Sequence, residues 1–340
     1  MPTLTRRVTI RDVARDARVS VTTVSDAING SGRLPAATRE RVRAAAAELG
    51  YRPRASARRL REGRTGQVGL YCSFLTEVPG GMAGMGYYMA LAMGAAEVAL
   101  DRGLAMVLLP TGLTPEALRA IDVDGLVVAD PLRGDDGLQA LSELGLTVVT
   151  VGRDPTPGAH HAGCVRTNDR RDMQALLEHL AQRGARRIAF IRADIEAEWA
   201  EELTAGYRDW CAQRGAPELL ERVPINTEQA ARAAVALVDR AERPDAIVCG
   251  LDGAAAPVVR SLQDRGLRVP DDVLVASCVD GPLMTAGTPA ITSIDLQPAE
   301  TGRRAVALLA AILEGKAPRN REQELASELL VRASTGGAVG

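Results

Sequence analysis

The side chains best suited to meeting another molecule lie in a short stretch, VTTVSDAIN, from Val21 to Asn29. Ser20 stands before it as a helix N-cap, and Val24 and Ile28, four positions apart, turn the same way, toward a core. The short hydroxyl, carboxyl and amide groups are left pointing outward, where they can bond to base edges and phosphates. That is the chemistry of recognition. No Ser, Cys or Glu of the chain sits in a recognisable nucleophile motif.

Two neighbouring helices must hold this stretch in place. Thr9-Ile10-Arg11-Asp12 has the spacing of a capping box, so a helix should begin near Ile10, with Val13, Ala14 and Ala17 on one face. Val19-Ser20 breaks that helix and recaps the next. After the Gly30-Ser31-Gly32 turn, Pro35 sits near the start of a third helix whose stripe is Val42, Ala45, Ala46 and Leu49, and Gly50 ends it. Two short helices joined by a tight turn match helix-turn-helix geometry, although any small three-helix domain shares the pattern. Charge favours the first reading. Residues 1–66 hold fifteen Arg against six Asp and Glu, a net of +9, whereas the whole chain is −2 and residues 67–340 carry −11. A basic head on an acidic body suits phosphate neutralisation.

At 340 residues the chain exceeds one ordinary core and suits a small head plus a two-lobed body. From Thr65 onward the apolar runs VGLYC, AMVLL, DGLVVA, TVVTV, RRIAFI, AIVCG and DVLVASC alternate with helical patterns, which predicts an α/β body of parallel sheets covered on both faces. No apolar stretch reaches transmembrane length, and MPTLTRRVTI lacks the apolar core of a secretory signal, so a cytoplasmic location is expected. Cys72, Cys164, Cys211, Cys249 and Cys278 form no CxxC pair and read as reduced core thiols. His160, His161 and His179 lack metal-ligand spacing, and the glycines of Gly80–Gly86 fit neither the dinucleotide fingerprint nor the P-loop. No cofactor and no metal is expected.

The run from Val8 to Leu60 resembles the head and hinge of the lactose-repressor (LacI) family of bacterial transcription regulators. The blocks DGLVVADP (124–131), VVTVGRDP (148–155), LLEHLAQRGARRIAFI (176–191), GLRVPDDVLVASCVD (266–280) and ITSIDLQPAETGRRAVALL (291–309) are similar in order and spacing to that family's regulatory core. The resemblance implies a helix-turn-helix head over 1–52, a hinge helix or linker over 53–65, a core over 66–335 and a tail over 336–340. The core would be two doubly wound parallel-sheet lobes like those of periplasmic binding proteins. Lobe 1 would take about 66–166 and 296–323, and lobe 2 about 167–295 and 324–335, with crossings near Thr167, Leu296 and Glu324. It further implies a homodimer on palindromic operator DNA, a small-molecule effector in the interlobe cleft and no membrane partner.

Carried over residue by residue, the resemblance puts Val21, Thr22 and Asp26 at base-reading positions and Ser20, Thr23, Ser25 and Asn29 at backbone-positioning ones. Asp26 stands where many relatives place Arg. A carboxylate can only accept, for instance from the amino group of cytosine, so a different half-site is expected, unless Asp26 pairs with a neighbouring arginine and touches no base. In the hinge, Leu60 inherits the wedge that unstacks a base step in the minor groove, with Arg54 and Ala57 as further DNA contacts; the family usually has Asn at the position of Arg54. The segment is too short to be helical alone and is expected to order on DNA, the alternative being a solvated linker.

At the effector site the sequence departs from the family in one direction. An Arg common three residues before the Gly of AGY or AGF is Leu203 here, ahead of Ala205-Gly206-Tyr207. The usual Asn-Asp after AIVCG is Leu251-Asp252, and the usual acidic pair after VLVASC is Val279-Asp280. A buried hydroxyl without a partner costs about 1–3 kcal/mol. Simple monosaccharides are therefore expected to be poor effectors and a less polar ligand a better one, unless Arg153, Asp252 and Asp280 take over the lost bonds. Phe74, Arg153, Trp199, Asp252 and Asp280 remain as candidate contacts. The function expected is a DNA-binding repressor under effector control. A solute-binding protein would share the body but has no use for the basic head, and an enzyme would need convergent catalytic groups.

Overall fold

The computed structural model describes residues 8–29, 32–51, 64–73, 86–110, 116–117 and 120–336. The chain forms two compact units, residues 1–65 and 66–340. The hinge contacts Arg54, Ala57 and Leu60, and the cleft residue Phe74, lie outside the described residues.

In the first unit, helices α1 (Ile10–Asp16), α2 (Val21–Asn29) and α3 (Ala36–Glu48) enclose a core of Val13, Ala14, Ala17, Val24, Ala27, Val42 and Ala45. The cap spacing read from the sequence operates as hydrogen bonds. The Thr9 N–H donates to the Asp12 carboxylate at 2.8 Å, and the Ser20 hydroxyl accepts from the Thr23 N–H at 3.0 Å. Arg41 of α3 donates through Nε to the Ala17 carbonyl at 3.1 Å, tying the third helix to the end of the first.

The second unit holds two six-stranded sheets of matching design. The first runs β11-β5-β4-β3-β1-β2, from β1 (Gln67–Cys72), β2 (Ala105–Leu109), β3 (Gly125–Ala129), β4 (Thr147–Val151), β5 (Gly163–Arg166) and β11 (Glu322–Glu324), all parallel. The second runs β12-β10-β9-β8-β6-β7, from β6 (Ile188–Ala193), β7 (Leu219–Val223), β8 (Ala246–Cys249), β9 (Leu274–Ser277), β10 (Thr292–Asp295) and β12 (Glu328–Leu330). Only its edge departs from the parallel expectation, β12 pairing antiparallel to β10.

Each sheet is covered on both faces, which is why β3 and β6 are buried at every position. In the first lobe α4 (Gly86–Asp101) and α10 (Pro298–Leu313) cover one face and α5 (Asp136–Glu143) the other. In the second, α6 (Asp169–Gln182) and α7 (Glu198–Arg214) lie opposite α8 (Thr227–Val238) and α9 (Ala255–Asp264). Helices α4 and α10 touch backbone to backbone: a Cβ on Gly94 would lie 2.0 Å from the Ala299 carbonyl oxygen, and one on Gly302 would lie 2.1 Å from that of Leu91.

The chain passes between the sheets after β5, after β10 and after β11. Glu324 pairs in parallel with Arg166 and so ends the first sheet, and the chain then passes to the second lobe's last strand. Cys72, Cys211, Cys249 and Cys278 are buried and Cys164 half-buried, all as free thiols. His179 bonds through Nε2 to the Thr335 hydroxyl at 2.8 Å, a packing role at the base of the second lobe.

Candidate ligand-binding cleft and nucleic-acid interface

The carboxyl ends of strands from both sheets face a common cleft of about 790 Å³, open solvent included. This is where open α/β sheets place ligands, because the loops leaving the strand ends diverge there. Asp130 follows β3, Val151 ends β4 with Gly152 after it, and Arg166 ends β5 with Thr167 after it; from the second lobe come Gly250, Leu251 and Asp252 after β8 and Cys278 and Val279 after β9. Tyr87 and Tyr88 enter from the first turn of α4, Asp169 from the start of α6, and Glu198, Trp199 and Leu203 from one face of α7.

Of the residues singled out in the sequence, Trp199, Leu203, Leu251, Asp252 and Val279 line this cleft. Leu203 is 4% exposed and Leu251 3%, so the apolar replacements form real wall. Arg153 and Asp280 do not line it. The Arg153 guanidinium is engaged in pairs with Glu198 and Glu322. Asp280 is committed to Arg332 at 2.6 Å and to the Ser293 hydroxyl at 2.5 Å. Burial alone would raise its pKa, but these bonds hold the Asp280 carboxyl below the usual range. Neither group is placed to replace the bonds that Leu203, Leu251 and Val279 cannot make.

Sequence reasoning missed the carboxylates Asp130, Asp169 and Glu198. Asp130 is 9% exposed, accepts a hydrogen bond from the Tyr88 hydroxyl, and sits in the left-handed region at φ 48. Such a conformation is tolerated by Asp at some cost and persists where the surroundings dictate it. Desolvation, with the charge of Glu198 nearby, pushes the Asp130 carboxyl up to about 7 despite the Tyr88 bond. Asp169 is also pushed up to about 7, by desolvation and then by Asp130, Asp172 and Glu198. Desolvation raises Glu198, although the Arg153 backbone N–H donates to it, and raises Asp252, which accepts from the Tyr87 N–H at 3.1 Å. One signal was available: Asp130 immediately follows the apolar run GLVVA, where a strand delivers its next side chain to the cleft. Trp199 carries a buried indole N–H with no partner among the described residues. No described helix is long and apolar enough to cross a membrane.

On the head, Ser20, Val21 and Thr22 are exposed, and Thr23 and Asp26 half-exposed. Val21 is 41% exposed, an apolar side chain offered to solvent at the start of α2. Ser25 departs from the outward pattern. It is 8% exposed, because it lies three positions before Ile28 and shares the edge of the inner stripe. The Asp26 carboxylate lies over Gly32, whose φ of +74 admits the turn into α3; a Cβ there would stand 3.1 Å from Asp26 Oδ2.

A helix-turn-helix head carried on a two-lobed binding core defines a class of ligand-controlled DNA-binding proteins. Comparison with known proteins places the chain within it. Residues 9–54 match the model of bacterial regulatory proteins of the lacI family, and residues 177–335 that of the periplasmic binding protein-like domain. The chain is 30% identical over 339 residues, 97% of its length and 98% of the relative's, to the HTH-type transcriptional regulator CelR of Thermobifida fusca. It is 28% identical over 301 residues, 86% of the chain and 88% of the relative, to catabolite control protein A of Staphylococcus xylosus. Among solved structures, a CelR–cellobiose complex superposes with a TM-score of 0.72 at 27% identity, over 96% of this chain and all of that one. A lac repressor dimer bound to operator and the anti-inducer ONPF reaches 0.80 at 23% identity, over 97% and 99%, a likeness of fold. The chain belongs to the lacI family of bacterial regulatory proteins and is a DNA-binding transcription regulator.

Proposed function

We propose that the protein is a cytoplasmic repressor that binds a palindromic operator as a homodimer and is switched by a small molecule in the cleft, with no enzymatic step. The observation that carries this reading is one chain holding both a basic head with exposed recognition-helix side chains and a core whose strand ends open on a cleft. Val21, Thr22 and Asp26 read bases in this scheme, Ser20, Thr23 and Asn29 position the backbone, and Leu60 with Arg54 and Ala57 serves the minor groove. Met89, Met93 and Leu100, spaced along α4 and 40%, 58% and 74% exposed, supply an apolar face for self-association. The solved complex of CelR with cellobiose supports a small-molecule effector for a core of this kind. Control is linkage: the effector shifts DNA affinity by its differential affinity for two lobe arrangements.

Selection of bound sequences from random duplex DNA tests the reading. Enrichment of a two-fold symmetric motif is the expected result, and failure to enrich any sequence overturns it. In the same assay Leu60→Gly should weaken the selected site far more than random duplex; equal losses would remove the wedge role.

A further inference from the structure

We infer that the ligand of the cleft is an organic cation, a protonated amine carried on a largely apolar body. The inference rests on the regulator reading of this cleft and narrows it. Asp130, Asp169 and Asp252 line the cleft, and among the described residues none of them forms an ion pair with an arginine, lysine or histidine. Their bonds are to neutral groups: the Tyr88 hydroxyl for Asp130, the Thr167 hydroxyl at 3.4 Å for Asp169, and the Tyr87 N–H for Asp252.

The nearby cations are committed elsewhere. Arg166, which does border the cleft, pairs with Glu322 at 3.0 Å and Glu324 at 3.3 Å; Arg153 serves Glu198 and Glu322, and Arg332 serves Asp280.

Desolvated like charges raise each other's energy, and a bound cation relieves all of them at once. An anion would add to the repulsion. A neutral polyol could hydrogen-bond to these carboxyls but would leave them in their raised, partly protonated state, whereas a cation favours the ionised form. A metal ion is not indicated, since no group of His, Cys, Asp or Glu among the described residues could hold one. The other walls say what carries the charge. Tyr87, Tyr88 and Trp199 line the cleft, the two tyrosines edge to face with centroids 5.0 Å apart, and aromatic rings are the side chains best able to attract a cation through their π-faces. Leu203, Leu251, Val279 and Ile225 supply surface for an apolar body, and the unpartnered Trp199 N–H can donate to an acceptor on it. The left-handed backbone at Asp130 agrees with a carboxylate held in place for use.

The test uses the full-length protein with phenethylamine, tyramine and glucosamine as cationic probes, set against 2-phenylethanol, cellobiose and glucose as neutral ones and phenylacetate as an anion. Ligand binding raises Tm by mass action, and calorimetry then supplies Kd. The aryl amines should stabilise the protein at millimolar concentration while their neutral and anionic counterparts do not. Asp130→Asn and Asp169→Asn should each weaken phenethylamine at least about tenfold, the loss expected for an ion pair in a desolvated site. Leu203→Arg, which places a cation inside the cleft, should abolish it. No shift with any amine, equal binding of amine and alcohol, or tighter binding of glucosamine or cellobiose than of phenethylamine overturns the inference. Gel shifts on the selected operator without ligand keep the two readings apart. Intact operator binding with a neutral effector sinks only the cation, whereas loss of any sequence preference sinks the regulator.

Discussion

The head and the cleft both meet their partners with a surplus of charge, of opposite sign and in opposite surroundings. Residues 1–66 carry a net +9, and the described part of the head is a small domain with seven buried core side chains, none of them charged. The cleft carries its surplus on carboxylates recessed between two lobes, where desolvation is the first cause of every raised pKa among them. Exposed charge acts at long range, is screened by salt and discriminates little. Desolvated charge acts at short range, ignores salt and is selective, at a cost in stability while the site is empty.

Salt should separate the two most sharply. If six to ten phosphates are neutralised, raising salt from 50 to 200 mM weakens operator binding about 10³–10⁵-fold. Amine binding in the cleft should change by less than about threefold over the same range, since buried pairs are weakly screened. Gel-shift and calorimetric titrations in parallel measure both, and a flat DNA curve would erase the contrast.

A smaller effect sharpens the head's side of the comparison. Asp26→Arg should redirect one half-site position toward guanine, by about 1–3 kcal/mol of discrimination. An unchanged selected motif would assign the carboxylate over Gly32 to the turn alone.

On the cleft's side, the empty protein should gain stability when a carboxylate is removed. Asp130 binds its proton more tightly folded, at about 7, than unfolded, at 3.8, so between those values the native state holds the extra proton. Its contribution is therefore best in acid and falls as pH rises through this window, and Asp169 behaves alike. Asp130→Asn, faced by Tyr88, Glu198 and Asp169, should raise stability at pH 8 on the order of 1–3 kcal/mol and flatten the decline between pH 5 and 7.5. Urea unfolding across that range reads it, and an unchanged slope would show the carboxyl to be well solvated. The least of the expected effects is a rise in amine affinity from pH 6 to 8, approaching tenfold per proton released.

What could be read in advance was local. Thr9 with Asp12, and Ser20 with Thr23, carry their instructions within one helical turn, and the strands of both lobes announce themselves as unbroken apolar runs. The wall made by Leu203, Leu251 and Val279 was legible through a resemblance in known order. The pairings of Arg153 and Asp280 could not be foreseen, because their partners Glu322 and Arg332 stand 169 and 52 positions away, beyond any pattern of spacing. Asp130 and Asp169 were overlooked because a charged residue ending a strand at a cleft looks, in one dimension, like one ending at the surface; only the sheet order brings them together. Ser25 failed for a subtler reason, lying on the margin of a stripe whose width is set by the helices packed against it.

The three passes between the sheets have a consequence for how such proteins can diversify. The head ends at one junction, between Thr65 and Gly66, so a single crossover between two genes can graft a new DNA preference onto an existing core. Neither lobe is a continuous segment: the second is interrupted by α10 and β11, and the first is completed only at Glu324. Exchanging one whole wall of the cleft would need three coordinated splices. A change of operator preference can therefore be made by one exchange of chain segments, whereas a change of the cleft is made more simply by single side chains of its wall, such as Leu203, Leu251 and Val279.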